Sequence, residues 1–248
     1  MKRLFFMAIC IFLVSIICFC LYRLTPEVAD SVQSAQEKKH IEMIVEDTAR
    51  DNERFSHQSF DALYAVNNDL AAYLRFESGL VAVPVVQGYD NDQYIRQSFE
   101  KQYSTQGVPF MDADASLDST HFVIFGHNVY YDDSAMFSPL AGLCSQDSYA
   151  QNRVFDLYTA DEVRSYVITN VYYFTDDDSL AYDYMQKEFS DEASFNSWIS
   201  IPNARNLIDS GSDCIQYGDS FVTLQTCKRW DDHAVILILA REISRHPY

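Results

Sequence analysis

Cys227 closes the stretch TLQTC, and His127 follows a glycine in FVIFGHN. Together these residue types support one chemistry. A thiol that loses its proton attacks an acyl carbon, and an imidazole beside it hands a proton to the leaving group. The two lie a hundred positions apart, so they meet only if the runs leading to them, Phe122–Phe125 and Phe221–Cys227, are neighbouring strands. The end of an apolar strand also suits a buried, inert cysteine. The sequence has no CxxC pair and no Cys/His cluster at zinc spacing, so neither a metal nor an organic cofactor is expected.

Both runs belong to a mainly β texture. Leu80–Gly88, Phe122–Phe125, Val154–Thr159, Tyr166–Phe174, Phe221–Cys227 and Val235–Ala240 are apolar, β-branched or aromatic, and each is expected as a strand. Ahead of the cysteine strand, Ser179 to Asp213 is too long for a hairpin loop. Its DEASFNSWI segment reads as helix, and such an insertion is expected to pack near a site. From Pro26 to about Leu74 there is no internal proline or glycine, so this stretch is expected to be helical, with Ser59 as a cap.

The N-terminus suggests an address. Leu4 to Tyr22 is uncharged and mostly apolar, long enough for a bilayer-spanning helix, and it follows Lys2 and Arg3. The expectation is an uncleaved single-pass anchor in the cell membrane, with the N-terminus cytoplasmic and the remainder extracellular. Residues 1–25 would be that start and anchor, 26–58 a membrane-proximal helical stalk, and 59–248 one domain. A net charge of -18 argues against nucleic acid as a partner, through like-charge repulsion. Cys10, Cys18 and Cys20 fall in the expected anchor, leaving Cys144, Cys214 and Cys227. An odd number leaves at least one free thiol, and nothing in the sequence places Cys144 beside Cys214.

Over roughly residues 60 to 242 the chain resembles the sortases, membrane-anchored cysteine transpeptidases of Gram-positive bacteria, and within them class B. The resemblance rests on NDLAAYLRFESGLVAVPVVQGYDNDQYI (Asn68 to Ile95), GVPFMDAD (Gly107 to Asp114), FVIFGHNVYYDDSAMFSPL (Phe122 to Leu140) and YGDSFVTLQTC (Tyr217 to Cys227). It implies an eight-stranded β-barrel with N-terminal helices and a helix in the long insertion before the cysteine strand. Cys227 would attack the threonine carbonyl of an LPxTG- or NPQTN-like sorting signal to form an acyl-thioester. His127 would protonate the departing amine and then assist an incoming amine, commonly from a peptidoglycan precursor. The implied partners are secreted proteins that bear the signal, and class B resemblance favours wall anchoring over pilus assembly.

The resemblance also implies an arginine near the start of the strand after the cysteine, which supports the tetrahedral oxyanion. Here the chain departs from the pattern, because with register fixed on LAREI the position falls at Val235. Arg241 shares its face but lies about 20 Å along the strand. Arg229, two residues after Cys227, has a permanent charge and forked donors; His233, two before Val235, has a conditional charge. Arg229 is preferred, with His233 the other candidate and no replacement at all a third option.

Thr223 and Leu224 are expected to help form the groove floor. Tyr182 and Ile199, with Phe189, Phe195 and Trp198, either line the substrate groove or pack the insertion onto the barrel. Asn128 and Met136 would shape the histidine loop. A second reading, favoured by the missing arginine, is a membrane-tethered peptide-binding module that has lost catalysis.

Overall fold

The computed structural model describes residues 2–49, 55–180, 182–229, 231 and 233–248, with backbone alone at 2, 4, 5, 8, 21–27, 179 and 180. Helices α1 (Lys2–Thr48) and α2 (His57–Val66) precede the strands β1 (Leu70–Phe76), β2 (Ala82–Val86), β3 (Phe110–Met111) and β4 (His121–Phe125). A short α3 (Gln146–Gln151) leads to β5 (Val154–Tyr158) and β6 (Glu162–Thr175). Then come α4 (Glu192–Arg205), β7 (Phe221–Cys227) and β8 (Ala234–Pro247). The eight strands close into a barrel in the order β1-β2-β3-β4-β7-β8-β6-β5, as the resemblance implies.

Alternation along each strand sorts side chains between the barrel interior and its outer surface. On β7, Val222 and Leu224 enter the interior core with Phe122 and Ile124 of β4, while Phe221 faces outward. Two outer clusters flank the β4/β7 surface. Ile41 and Val45 of α1, with Phe60 and Leu63 of α2, cover Tyr73, Val86 and Phe110 on one side. On the other, α4 presents Phe195, Trp198 and Ile199, an i, i+3, i+4 stripe, to Phe221, Leu237 and Leu239. Asp191 caps α4 by accepting from the Ser194 N–H at 2.7 Å. Burial of each of these three side chains contributes roughly 2 kcal/mol.

Several expectations are corrected. Leu70–Phe76, read as the end of a helical stretch, is strand β1, paired with β2 and β5. Its alanines and leucines suit a helix, and pairing on both edges overrides that preference. The cap of α2 is Ser56, with Ser59 as its capping-box partner three residues on. Strands β6 and β8 each extend beyond their apolar stretch, because they pair with each other from Glu162 and Pro247 to Thr175 and Ala234.

The single-pass anchor is corrected as well. Among the described residues no helix is long and apolar enough to cross a membrane. The later part of α1 is polar and docks on the barrel, where Asp30 accepts from Thr105 and His40 pairs with Glu100. Residues 50–54 of the expected stalk lie outside the described residues.

Candidate active site

Strands β4 and β7 are parallel neighbours, and their pairing runs from His121/Phe221 to Phe125/Gln225, a constant offset of one hundred. The Gly126 N–H continues it by donating to the Gln225 carbonyl at 3.0 Å. Two residues beyond the last pair on either strand stand His127 and Cys227. They share a cleft of about 270 Å³ with Asn91, Ile95, Phe110, Phe125, Gly126 and Gln225. Gly126 is required at this junction, since a Cβ there would lie 2.4 Å from the buried Phe137 ring.

The imidazole of His127 is held by backbone. Its Nε2 lies 3.0 Å from the Ile95 carbonyl, and because a carbonyl only accepts, Nε2 carries the hydrogen. In the neutral ring Nδ1 is therefore the basic nitrogen. Burial lowers the His127 pKa; the Ile95 bond opposes this, and nearby Arg96 lowers it further. The ring is thus neutral at neutral pH. Tyr184, on the insertion, lies within the electrostatic reach of Cys227, and mainly burial pushes its hydroxyl up to about 12.

The segment after Cys227 is tied to the histidine loop. The Asn128 amide donates to the Cys227 carbonyl at 2.9 Å, while its oxygen accepts from Arg229 at 3.1 Å. Arg229 also donates to the Val129 carbonyl at 3.0 Å and pairs with Asp133. Its fork is thus directed onto the loop that carries His127. His233 turns to Asp176 at 2.9 Å and is largely exposed. The expected arginine position, Val235, stands directly opposite Cys227 in the antiparallel β7/β8 ladder.

The other residues expected from the sequence lie away from the cleft. Thr223 is fully buried and donates to His121 Nε2 at 2.9 Å, while His121 Nδ1–H donates to the Gln186 carbonyl at 2.7 Å. Leu224 faces the barrel interior. Tyr182 and Ile199 are buried in the cluster that packs α4 onto the barrel, with Tyr182 bonded to the Tyr172 hydroxyl at 3.3 Å. Cys144 and Cys214 are free thiols. Met136 takes a left-handed φ of 47° and bridges to Asn128, which closes the histidine loop.

Sequence reasoning missed the Ile95 carbonyl, because a backbone acceptor has no residue signature. It also missed Gln225, although its position two before Cys227 puts it on the same strand face.

No family model matches the chain. It is 22% identical over 171 residues to sortase B of Staphylococcus aureus, covering 68% of this chain and 67% of that protein. Sortase B of Listeria monocytogenes is 24% identical over 174 residues, 69% of this chain and 68% of that one. The X-ray structure of Clostridium perfringens sortase B superposes with a TM-score of 0.67 at 26% identity, covering 75% of this chain and all of that chain. The barrel and its strand order are those of the sortase fold, and by these likenesses the chain is class B-like, similar to a family of cysteine transpeptidases.

Proposed function

We propose that Cys227 is the nucleophile and His127 the acid/base of a transpeptidase that cleaves an LPxTG- or NPQTN-like sorting signal after its threonine. The carrying observation is the parallel β4/β7 register, which brings Cys227 and His127 to one end of the sheet and into one cleft. In the first half-reaction the thiol proton passes to His127 and sulfur bonds to the threonine carbonyl carbon. The C–N bond then breaks, and the departing amine takes the proton from His127. That leaves an acyl-thioester, which an incoming amine from a peptidoglycan precursor attacks to release the thiol and form a new amide. Signal-bearing secreted proteins are the clients in this reading.

The resting geometry suits these roles. A buried imidazole with a lowered pKa is a weak base at rest and a strong acid once charged, which favours expulsion of a poor leaving group. Arg229 acts here as a positioning residue, since its donors fasten the segment after Cys227 to the histidine loop. Residues 59–248 form the catalytic unit in this proposal.

Val235 favours a second reading, a peptide-binding module that has lost turnover, because the residue facing the thiol offers no hydrogen-bond donor. One experiment separates the two. The full chain is incubated with sorting-signal peptides and hydroxylamine, and mass spectrometry follows hydroxamate formed after threonine. Product from wild type and none from Cys227→Ala is the expected result. Peptide binding with no product from wild type would instead support the binding module.

A further inference from the structure

Of the side chains bordering the cleft, Ile95, Phe110 and Phe125 have no polar donor and Gly126 has no side chain. Asn91 is committed, since its amide donates to Asp112 at 2.9 Å and its oxygen accepts from the Ala113 N–H at 2.8 Å. The His127 Nε2–H is held by the Ile95 carbonyl. The cations near the thiol in sequence are also engaged elsewhere: Lys228 with Asp231 and the Tyr173 ring, Arg229 with Asp133, Asn128 and Val129, and His233 with Asp176. Gln225 remains. Its backbone is fixed by β4 and β8, yet among the described residues its carboxamide makes no hydrogen bond.

Gln225 and Cys227 project from the same face of β7, about 7 Å apart along the strand, within reach of a glutamine side chain. We infer that Gln225 is the oxyanion donor of this enzyme, its Nε2–H taking the role that the valine at position 235 cannot. The inference rests on the transpeptidase reading above. As the Cys227 sulfur bonds to the carbonyl carbon, the carbonyl π pair moves onto oxygen, and Gln225 donates a hydrogen bond to that oxyanion without transferring a proton. Collapse of the intermediate restores the carbonyl and expels the amine, which leaves with the proton from His127. A neutral amide serves this purpose because the donor need only be oriented before charge develops, and a strand flanked by two others orients it.

The test measures kcat and KM of the full chain with a cleaved sorting-signal peptide and hydroxylamine, for wild type, Cys227→Ala, Gln225→Ala, Gln225→Glu and Gln225→Ala/Val235→Arg. Gln225→Glu keeps the shape and removes the donor, so it covers the case in which Gln225→Ala folds poorly. Both single variants should lose about 100- to 1000-fold in kcat, with KM changed by less than about threefold. The double variant should regain at least about tenfold over Gln225→Ala, because a guanidinium opposite Cys227 supplies the missing donor. If wild type cleaves while Gln225→Ala keeps more than about a third of its kcat, or loses only in KM, this inference is overturned and the transpeptidase reading stands. If wild type forms no product above Cys227→Ala, the transpeptidase reading fails and takes this inference with it.

Discussion

Val235 faces Cys227 across the β7/β8 ladder, in the register that runs without interruption from Phe221/Arg241 to Cys227/Val235. Directly opposite residues of an antiparallel pair share a face, with Cβ atoms about 5 Å apart. A side chain at 235 is therefore the cross-strand neighbour of the thiol, and valine offers it no hydrogen bond. Val235→Arg should raise kcat/KM for peptide cleavage at least about tenfold, since one oriented oxyanion donor is worth more than that elsewhere. Steady-state kinetics of the variant checks this, and an unchanged or lower value would detach position 235 from the chemistry.

Arg229 acts at one remove. Its bonds to Asn128, Val129 and Asp133 join the segment after Cys227 to the loop that follows His127. The Asp133 partner is largely exposed, so that ion pair adds little, and the two bonds to Asn128 and Val129 carry the tie. Arg229→Ala should cost about 1 to 2 kcal/mol of stability. Faster amide exchange across 128–136 is expected with it. Arg229→Lys should fail to restore it, lacking the planar fork. Unchanged exchange in this loop would show that Arg229 does not hold it.

Arg96 is among the causes that depress the His127 pKa. Removing a nearby cation makes the imidazolium easier to form, so Arg96→Gln should move the His127 titration to higher pH. Two-dimensional NMR of the imidazole, run on both proteins, reads the shift directly. Movement to lower pH, or none, would contradict the assigned cause.

His121 makes stability fall in acid. Full burial between β4, β7 and α4 holds its pKa down, at about 4 against 6.5 for the free group. Below pH 6.5 the unfolded chain therefore binds a proton that the native protein refuses, and stability is lost as pH drops from 6.5 toward about 4. At pH 5 the loss attributable to this one residue is about 2 kcal/mol, and His127 adds to it in the same direction. Urea unfolding at pH 7 and pH 5 should show this loss in wild type and a markedly smaller one in His121→Asn. Equal losses would place the acid sensitivity elsewhere.

Gly126 sits where β4 hands over to His127. A Cβ there meets the Phe137 ring at 2.4 Å, and that ring is fully buried. Gly126→Ala should cost about 1 to 3 kcal/mol through overpacking. It should also lower kcat by displacing His127 from the Ile95 carbonyl. Thermal unfolding together with peptide turnover tests both parts, and a variant as stable as wild type would show that the Phe137 pocket yields.

The placing of Cys227 at the end of one strand and of His127 just beyond another was legible in the sequence because strand-end positions are local facts. The β7 boundary at Cys227 came out to the residue, and α4 was visible in DEASFNSWI through its apolar spacing. β1 was not legible: LAAYLRF has the composition of a helix, and only pairing with β2 and β5 makes it a strand. Thr223, Tyr182 and Ile199 failed as groove residues because apolar and hydroxyl side chains on an outer face suit a packed layer as well as a ligand, and α4 covers that face.

By itself the sequence determined that a cysteine closes one strand, that a histidine follows another, and that no arginine stands at position 235, all of which follow from residue identity and local strand pattern. The tertiary structure alone decided that β4 and β7 lie side by side in parallel, because non-local pairing depends on how the whole barrel closes. It likewise decided where long polar side chains spend their donors. The sequence favoured Arg229 over His233 as the side chain turned toward the thiol, and the fold instead directs Arg229 to Asn128 and Val129 and His233 to Asp176.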